Sequence, residues 1–171
     1  QDLVHFRHNG ASGGYGLLVK LDGSPNNTSN YFFSGNDSSV QRIKICSNGD
    51  LQNANNSYGS TSDIKLKENI SDSGSQWDDI KAVKVKKYSM KADELDAPNK
   101  LGVIAQDLES SGMKGLVDEF ADVDPDTKKD LGTTTKSVKY SILYMKAVKA
   151  LQEAMTRIET LETKVAALEA K

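Results

Sequence analysis

Hydrophobic and polar positions divide the chain into three stretches with different periods. The clearest pattern is in the last thirty residues, where Tyr144, Ala147, Leu151, Ala154, Ile158, Leu161, Val165 and Leu168 alternate at spacings of three and four. This is a heptad seam with Leu151, Ile158 and Val165 at a and Ala154, Leu161 and Leu168 at d. An amphipathic helix packed on its own domain shows a broader apolar stripe. Here the positions between the seam residues after Leu151 are Glu, Lys, Thr, Arg and Ala, with Gln152 and Met155. The pattern predicts a helix over 140–171 that pairs with other chains as a coiled coil. The mixed a and d residues leave the number of strands open.

A different period runs through the first third. Val40, Arg42 and Lys44 alternate with Gln41, Ile43 and Ile45, which predicts a short strand with both isoleucines on one face. Ser47-Asn48-Gly49-Asp50 then supplies a turn, because Asn-Gly accepts positive φ at little cost. YGLLVKL and YFFSG are two further short apolar runs in a segment rich in Gly, Asn and Ser. Strands this short, with so little to bury, read as β pieces of an intertwined fibrous assembly.

Residues 62–139 read as a compact α+β body. Ser75-Gln76-Trp77-Asp78 has the form of a capping box, with Asp78 in the Glu/Gln place, opening a short helix through Ile80, Ala82 and Val83. Val83 to Met90, LGVIAQ (101–106) and TTKSVKY (134–140) are the expected strands. QDLESSG is a helical turn closed by Gly112, and Asp124-Pro125-Asp126 a turn. The expected fold class is therefore α+β: a β-rich segment over 1–61, a small α/β body over 62–139 and a long helix over 140–171.

Composition sharpens this picture. Of 171 residues, 37% are hydrophobic and 6% aromatic, a thin supply for a self-sufficient core and an argument for an obligate oligomer. Net charge is −2 with both signs interspersed, so no electrostatic footprint for nucleic acid is present. The single Cys46 excludes an internal disulfide framework and a multi-cysteine zinc site. No apolar run reaches the roughly 18 residues that span a bilayer. The start, QDLVHFRHNG, has neither an initiator Met nor a signal-peptide core, and is expected to lie inside a longer chain.

The junction near residue 60 holds the candidate chemistry. In YGSTSDIKLKE, Ser62 precedes Lys65 by three residues and Lys67 by five. A lysine kept neutral can take a serine's proton and make it a nucleophile. Ser-x-x-Lys is the pattern of penicillin-binding enzymes, but their Ser-Asp-Asn and Lys-Thr-Gly elements are missing here. Five residues give about 500° on a helix and opposite faces on a strand, so Ser62 and Lys67 meet only across a bend or between chains. On spacing alone a solvated hinge is the better reading. Asp122, Asp124 and Asp126 begin like a calcium loop, but Thr127 and Thr133 stand where Gly and Glu are needed, so an acidic turn is expected. His5 and His8 have no acidic or cysteine partners nearby, and Cys46 adjoins an apolar strand. No metal or cofactor is called for.

Three blocks in order change the weight on the junction: NGDLQNANNSYGSTSDIKLKENI (48–70), LGVIAQDLE (101–109) and SVKYSILYMKAVKALQEAM (137–155). Together, spread over residues 48–158, they resemble the C-terminal intramolecular chaperone domain of phage tailspikes and tail fibres, the S74 peptidase family. The resemblance implies a homotrimer that folds its own upstream fibre segment and then cuts itself off. By position, Ser62 is the implied nucleophile, Lys67 the general base, Thr61–Ser62 the scissile bond, and Asp63 an orienting or capping residue. Leu151, Ile158, Leu161, Val165 and Leu168 form the expected trimer seam. Residues 1–61 are then the end of a virion fibre or spike that meets a host surface receptor, and 62–171 the autocleaving chaperone, working in the host cytoplasm. Neither nucleic acid nor membrane is expected as a partner. Two other readings stay open: a non-catalytic trimeric tip that remains attached, and the related domain of membrane-anchored eukaryotic transcription factors, which would carry a transmembrane helix beyond the coiled coil.

Overall fold

A computed structural model describes residues 17–171 except 24 and 125; His5, His8, Tyr15, Gly16 and Pro125 of the readings above lie outside the described residues. The chain divides into two compact units. One runs to Lys67 and includes Ala92–Glu94, and the other comprises Glu68–Lys91 and Leu95–Lys171.

The first unit is built on a three-stranded antiparallel meander, β1 (Tyr31–Asn36), β2 (Gln41–Cys46) and β3 (Leu51–Asn53), in that order. The β1–β2 turn is held by Asp37, whose carboxylate accepts from the backbone N–H of Val40 at 2.8 Å and of Ser39 at 2.7 Å. Those bonds, the Ser39 hydroxyl and Arg42 lower its pKa to about 2. Between β2 and β3 the expected Asn-Gly turn is present, with Gly49 at φ 89°. Ile43 lies opposite Gly35, where a Cβ would stand 2.9 Å from the isoleucine methyl. Ile45 is exposed, and only Cys46 on β2 is fully buried. On β1, Tyr31, Phe32 and Phe33 are all exposed. Leu17 to Lys20, in the first expected apolar run, form no strand.

The second unit holds α1 (Trp77–Ala82), β4 (Lys86–Tyr88), β5 (Lys100–Gly102), α2 (Ala105–Ser110), β6 (Val117–Val123), β7 (Asp130–Val138) and α3 (Tyr140–Glu169). β4 pairs with β5 and β6 with β7, both antiparallel. The core gathers Leu108, Met113, Leu116 and Leu143, with Ile80, Val83, Val103, Val117, Val138 and Tyr140 packed around it. The α+β class is seen in these antiparallel sheets and three α-helices.

Several boundaries move. The expected strand 83–90 shortens to three residues, and LGVIAQ is strand only through Gly102. Ala105 and Leu108, three apart, both bury, so the chain turns into α2 after Ile104. Its end is as expected: Gly112 takes φ 85° and Met113 N–H closes back on Leu108 O at 3.0 Å. β6 was not foreseen, because the apolar residues of VDEFADV fall at 117, 120, 121 and 123, which is not a period of two.

The capping box at α1 is also revised. Gln76 is the N-cap and its side chain makes no capping bond. Glu153 of α3 supplies the acceptors instead, taking the Ser75 hydroxyl at 2.6 Å and Gln76 N–H at 2.9 Å. Lys146 of α3 pairs with Asp79 at 2.6 Å, and the Arg157 guanidinium lies 3.9 Å over the Trp77 ring. The long helix thus holds the short one by its first turn.

On α3 itself, Leu143 and Ala150 are buried, whereas Leu151, Ile158, Leu161, Val165 and Leu168 are between 51% and 68% exposed in the single chain. Among the described residues no helix is long and apolar enough to cross a membrane.

Two outcomes follow from this packing. Leu108→Ala should lower the unfolding free energy by about 2–5 kcal/mol, measured by urea denaturation; a loss below about 1 kcal/mol would show that Leu108 does not anchor the core. The Ser75 hydroxyl and Gln76 N–H lower the pKa of Glu153 from its ordinary 4.5. A depressed carboxylate stabilises fully above its unfolded pKa and loses that contribution as pH falls through the folded value. The melting-temperature gap between wild type and Glu153→Gln should therefore be widest at neutral pH and close below pH 4.5; a gap that widens in acid would reverse the assignment.

Candidate functional site

The segment between β3 and α1 has no regular structure apart from one 3-10 turn, Ile64–Leu66. Its first part folds back on β3. Asn53 Oδ1 accepts from Asn55 N–H at 3.0 Å and Ser57 N–H at 3.2 Å, and the Tyr58 hydroxyl donates to Leu51 O at 2.7 Å. Thr61 and Ser62 follow within four residues of that anchor, and both are exposed.

At the turn the chain bends twice. Asp63 is extended (φ −66°, ψ 136°), Ile64–Leu66 coil once, and Lys67 is extended again (φ −124°, ψ 147°). Leu66 N–H donates to Asp63 O and Lys67 N–H to Ile64 O, each at 3.1 Å. A chain reversing direction at both ends of one tight turn does what neither a helix nor a strand allows. Lys67 Nζ reaches Ser62 Oγ and donates to it at 2.6 Å. The contact lies within one chain.

The other residues at the junction take distinct places. Asp63 Oδ1 accepts from Lys65 N–H at 3.0 Å, and Oδ2 faces Lys65 Nζ at 3.4 Å. Lys65 therefore turns to Asp63, and Lys67 to the serine. Ile64 and Leu66 of the turn and Ile70 beyond it in sequence are 74%, 66% and 63% exposed.

The acidic alternation has a structural task. Asp124 Oδ1 accepts from the Thr127 N–H at 2.6 Å, from its hydroxyl at 2.8 Å and from Asp126 N–H at 3.1 Å. These bonds, the Thr127 N–H foremost, hold its pKa below the usual carboxylate range. Asp122 is lowered likewise by the hydroxyls of Thr135 and Thr133. Cys46 is fully buried in its strand. Among the described residues no group of three or more His, Cys, Asp or Glu could hold a metal ion. Sequence reasoning missed Glu153 and Lys146 as the residues that fix α1, since charged positions between seam residues look solvated in one dimension.

The model of the peptidase S74 family, described as chaperone of endosialidase, matches residues 62–118. The match starts at Ser62 and takes in the turn, α1, the β4–β5 pair and α2. No curated protein matches the chain.

Proposed function

We propose that this chain, whose residues 62–118 match the model of the peptidase S74 family described as chaperone of endosialidase, trimerises and folds the end of a phage tail fibre or spike and then releases itself by cutting Thr61–Ser62. One observation carries the cleavage: Lys67 Nζ stands 2.6 Å from Ser62 Oγ at the residue where the family match begins.

The chemistry follows from the placement. A neutral Lys67 amine takes the Ser62 hydroxyl proton as Oγ attacks the carbonyl carbon of Thr61. The resulting tetrahedral centre collapses when the Lys67 ammonium gives its proton to the Ser62 nitrogen and the C–N bond breaks. Thr61 is then esterified to Ser62 Oγ, and Ser62 carries a free α-amine. Water hydrolyses the ester to the Thr61 carboxylate and restores the hydroxyl. Holding the nucleophile next to its own peptide bond supplies the proximity term.

Assembly supplies the rest. In the open chain, water stabilises the charged form of a lysine, which cannot take a proton. Desolvation favours the neutral amine. Chains joined along Leu151, Ile158, Leu161, Val165 and Leu168 would cover apolar surface and, in this reading, the surroundings of Ile64, Leu66 and Ile70. Cleavage then reports successful trimer formation. The mature fibre goes to the virion, with a host surface receptor as its partner, and the chaperone part is left in the host cytoplasm.

Mass spectrometry of the purified full chain tests the dyad. Wild type should yield fragments ending at Thr61 and starting at Ser62, and Ser62→Ala and Lys67→Ala should stay whole, while Lys65→Ala still cleaves. Full-length wild type persisting after trimers form would sink autoproteolysis and leave the attached, non-catalytic tip. The coupling to assembly is read separately. Leu161→Asp should give monomers by sedimentation and cleave at least about tenfold more slowly, since neutralising a lysine shifts its reactive fraction by factors of ten per pKa unit; monomers that cleave at the wild-type rate would remove the link.

A further inference from the structure

We infer that Asp63 is the positioning residue of this reaction, its carboxylate building the turn that places Lys67 on Ser62. The inference rests on the autoproteolytic reading and adds to it the device that closes a five-residue gap. The turn between the two residues is three residues long and buries none of them. Tertiary packing therefore does not hold it, and 3-10 hydrogen bonds are individually poor. What remains is local: two backbone bonds and the Asp63 cap on Lys65 N–H at 3.0 Å.

The second carboxylate oxygen matters for the direction of Lys67. It faces Lys65 Nζ at 3.4 Å, so the Asp63 carboxylate is engaged with residue 65 and not with Lys67. That ion pair is exposed on both sides, 75% and 47%, and such pairs contribute little. The cap, not the charge, is the larger effect. Asn and Ser also place an acceptor at this distance, whereas Ala has none and the longer Glu carries it past the Lys65 N–H.

The test compares Asp63→Ala and Asp63→Asn in two measurements on the full chain. The first is the first-order cleavage rate. The second, in a Ser62→Ala background that cannot cut, is hydrogen exchange at the Lys65 amide. Asp63→Ala should cleave about five- to tenfold more slowly, the usual weight of a lost cap, with Lys65 exchange faster by a similar factor. Asp63→Asn should restore both to within about twofold, and Lys65→Met should leave the rate within the same margin. An Asn variant as slow as the Ala variant would overturn the assignment in favour of a role for the charge, and so would unchanged exchange in Asp63→Ala. A wild type that never cleaves, with exchange following the expected pattern, overturns the autoproteolytic reading and leaves the turn assignment standing.

Discussion

A lysine reaches a serine five residues upstream only where the backbone leaves both regular geometries, and the 2.6 Å contact between Lys67 Nζ and Ser62 Oγ depends on that departure. The extended backbone of Asp63 and Lys67, with one coil between, folds six residues into a loop whose ends present the two side chains to each other. The cost of ordering such a loop falls on very few bonds. A site of this kind is cheap to open and cheap to close, which in the proposed function suits a bond that is cut once and then abandoned. Ser62 and Lys67 belong to the same compact unit, and the second unit begins with the next residue, Glu68.

The same economy appears in the rest of the chain. Among the described residues the buried hydrophobic side chains are Cys46, Ala105, Leu108, Met113, Leu116, Leu143 and Ala150, while the aromatic side chains of β1 and the seam of α3 are exposed. Apolar surface left in water on this scale is stabilising only if another surface covers it, at about 25 cal/mol per Å² removed from solvent. The second unit compensates in part by polar means. Glu153 and Lys146, about two turns apart on α3, hold the first turn of α1, and Arg157 closes over Trp77. The buried face of α3 belongs to its own unit, and its seam is exposed in the single chain.

What was legible in the sequence divides along physical lines. Long-range periodicity survived: α3 spans Tyr140–Glu169, because a heptad pattern over thirty residues constrains every position. Local turn chemistry survived too, in Gly49 and Gly112, where positive φ selects the residue. The short strands did not, since three residues carry no period and their pairing is set by neighbours far along the chain. LGVIAQ was misread because Ala105 and Leu108 bury at helical spacing, a choice made by the core that no six-residue window shows. At the junction, spacing argued that a bend is required but could not say that Asp63 makes it. That step needs the distance from a carboxylate oxygen to the Lys65 N–H.

The protonation of the Ser62–Lys67 pair adds a last constraint. The two atoms stand 2.6 Å apart, and a lysine takes a serine's proton only as the neutral amine. In the proposed function the turn supplies the position and assembly supplies the reactivity. An ammonium loses its proton more readily when water is removed from around it. The surface to be covered in the proposed function includes Ile64 and Leu66 of the turn and Ile70 after it, all exposed in the single chain. In the proposed function the timing of the cut and the covering of these side chains are thus one event, and the turn can be complete long before the bond is at risk.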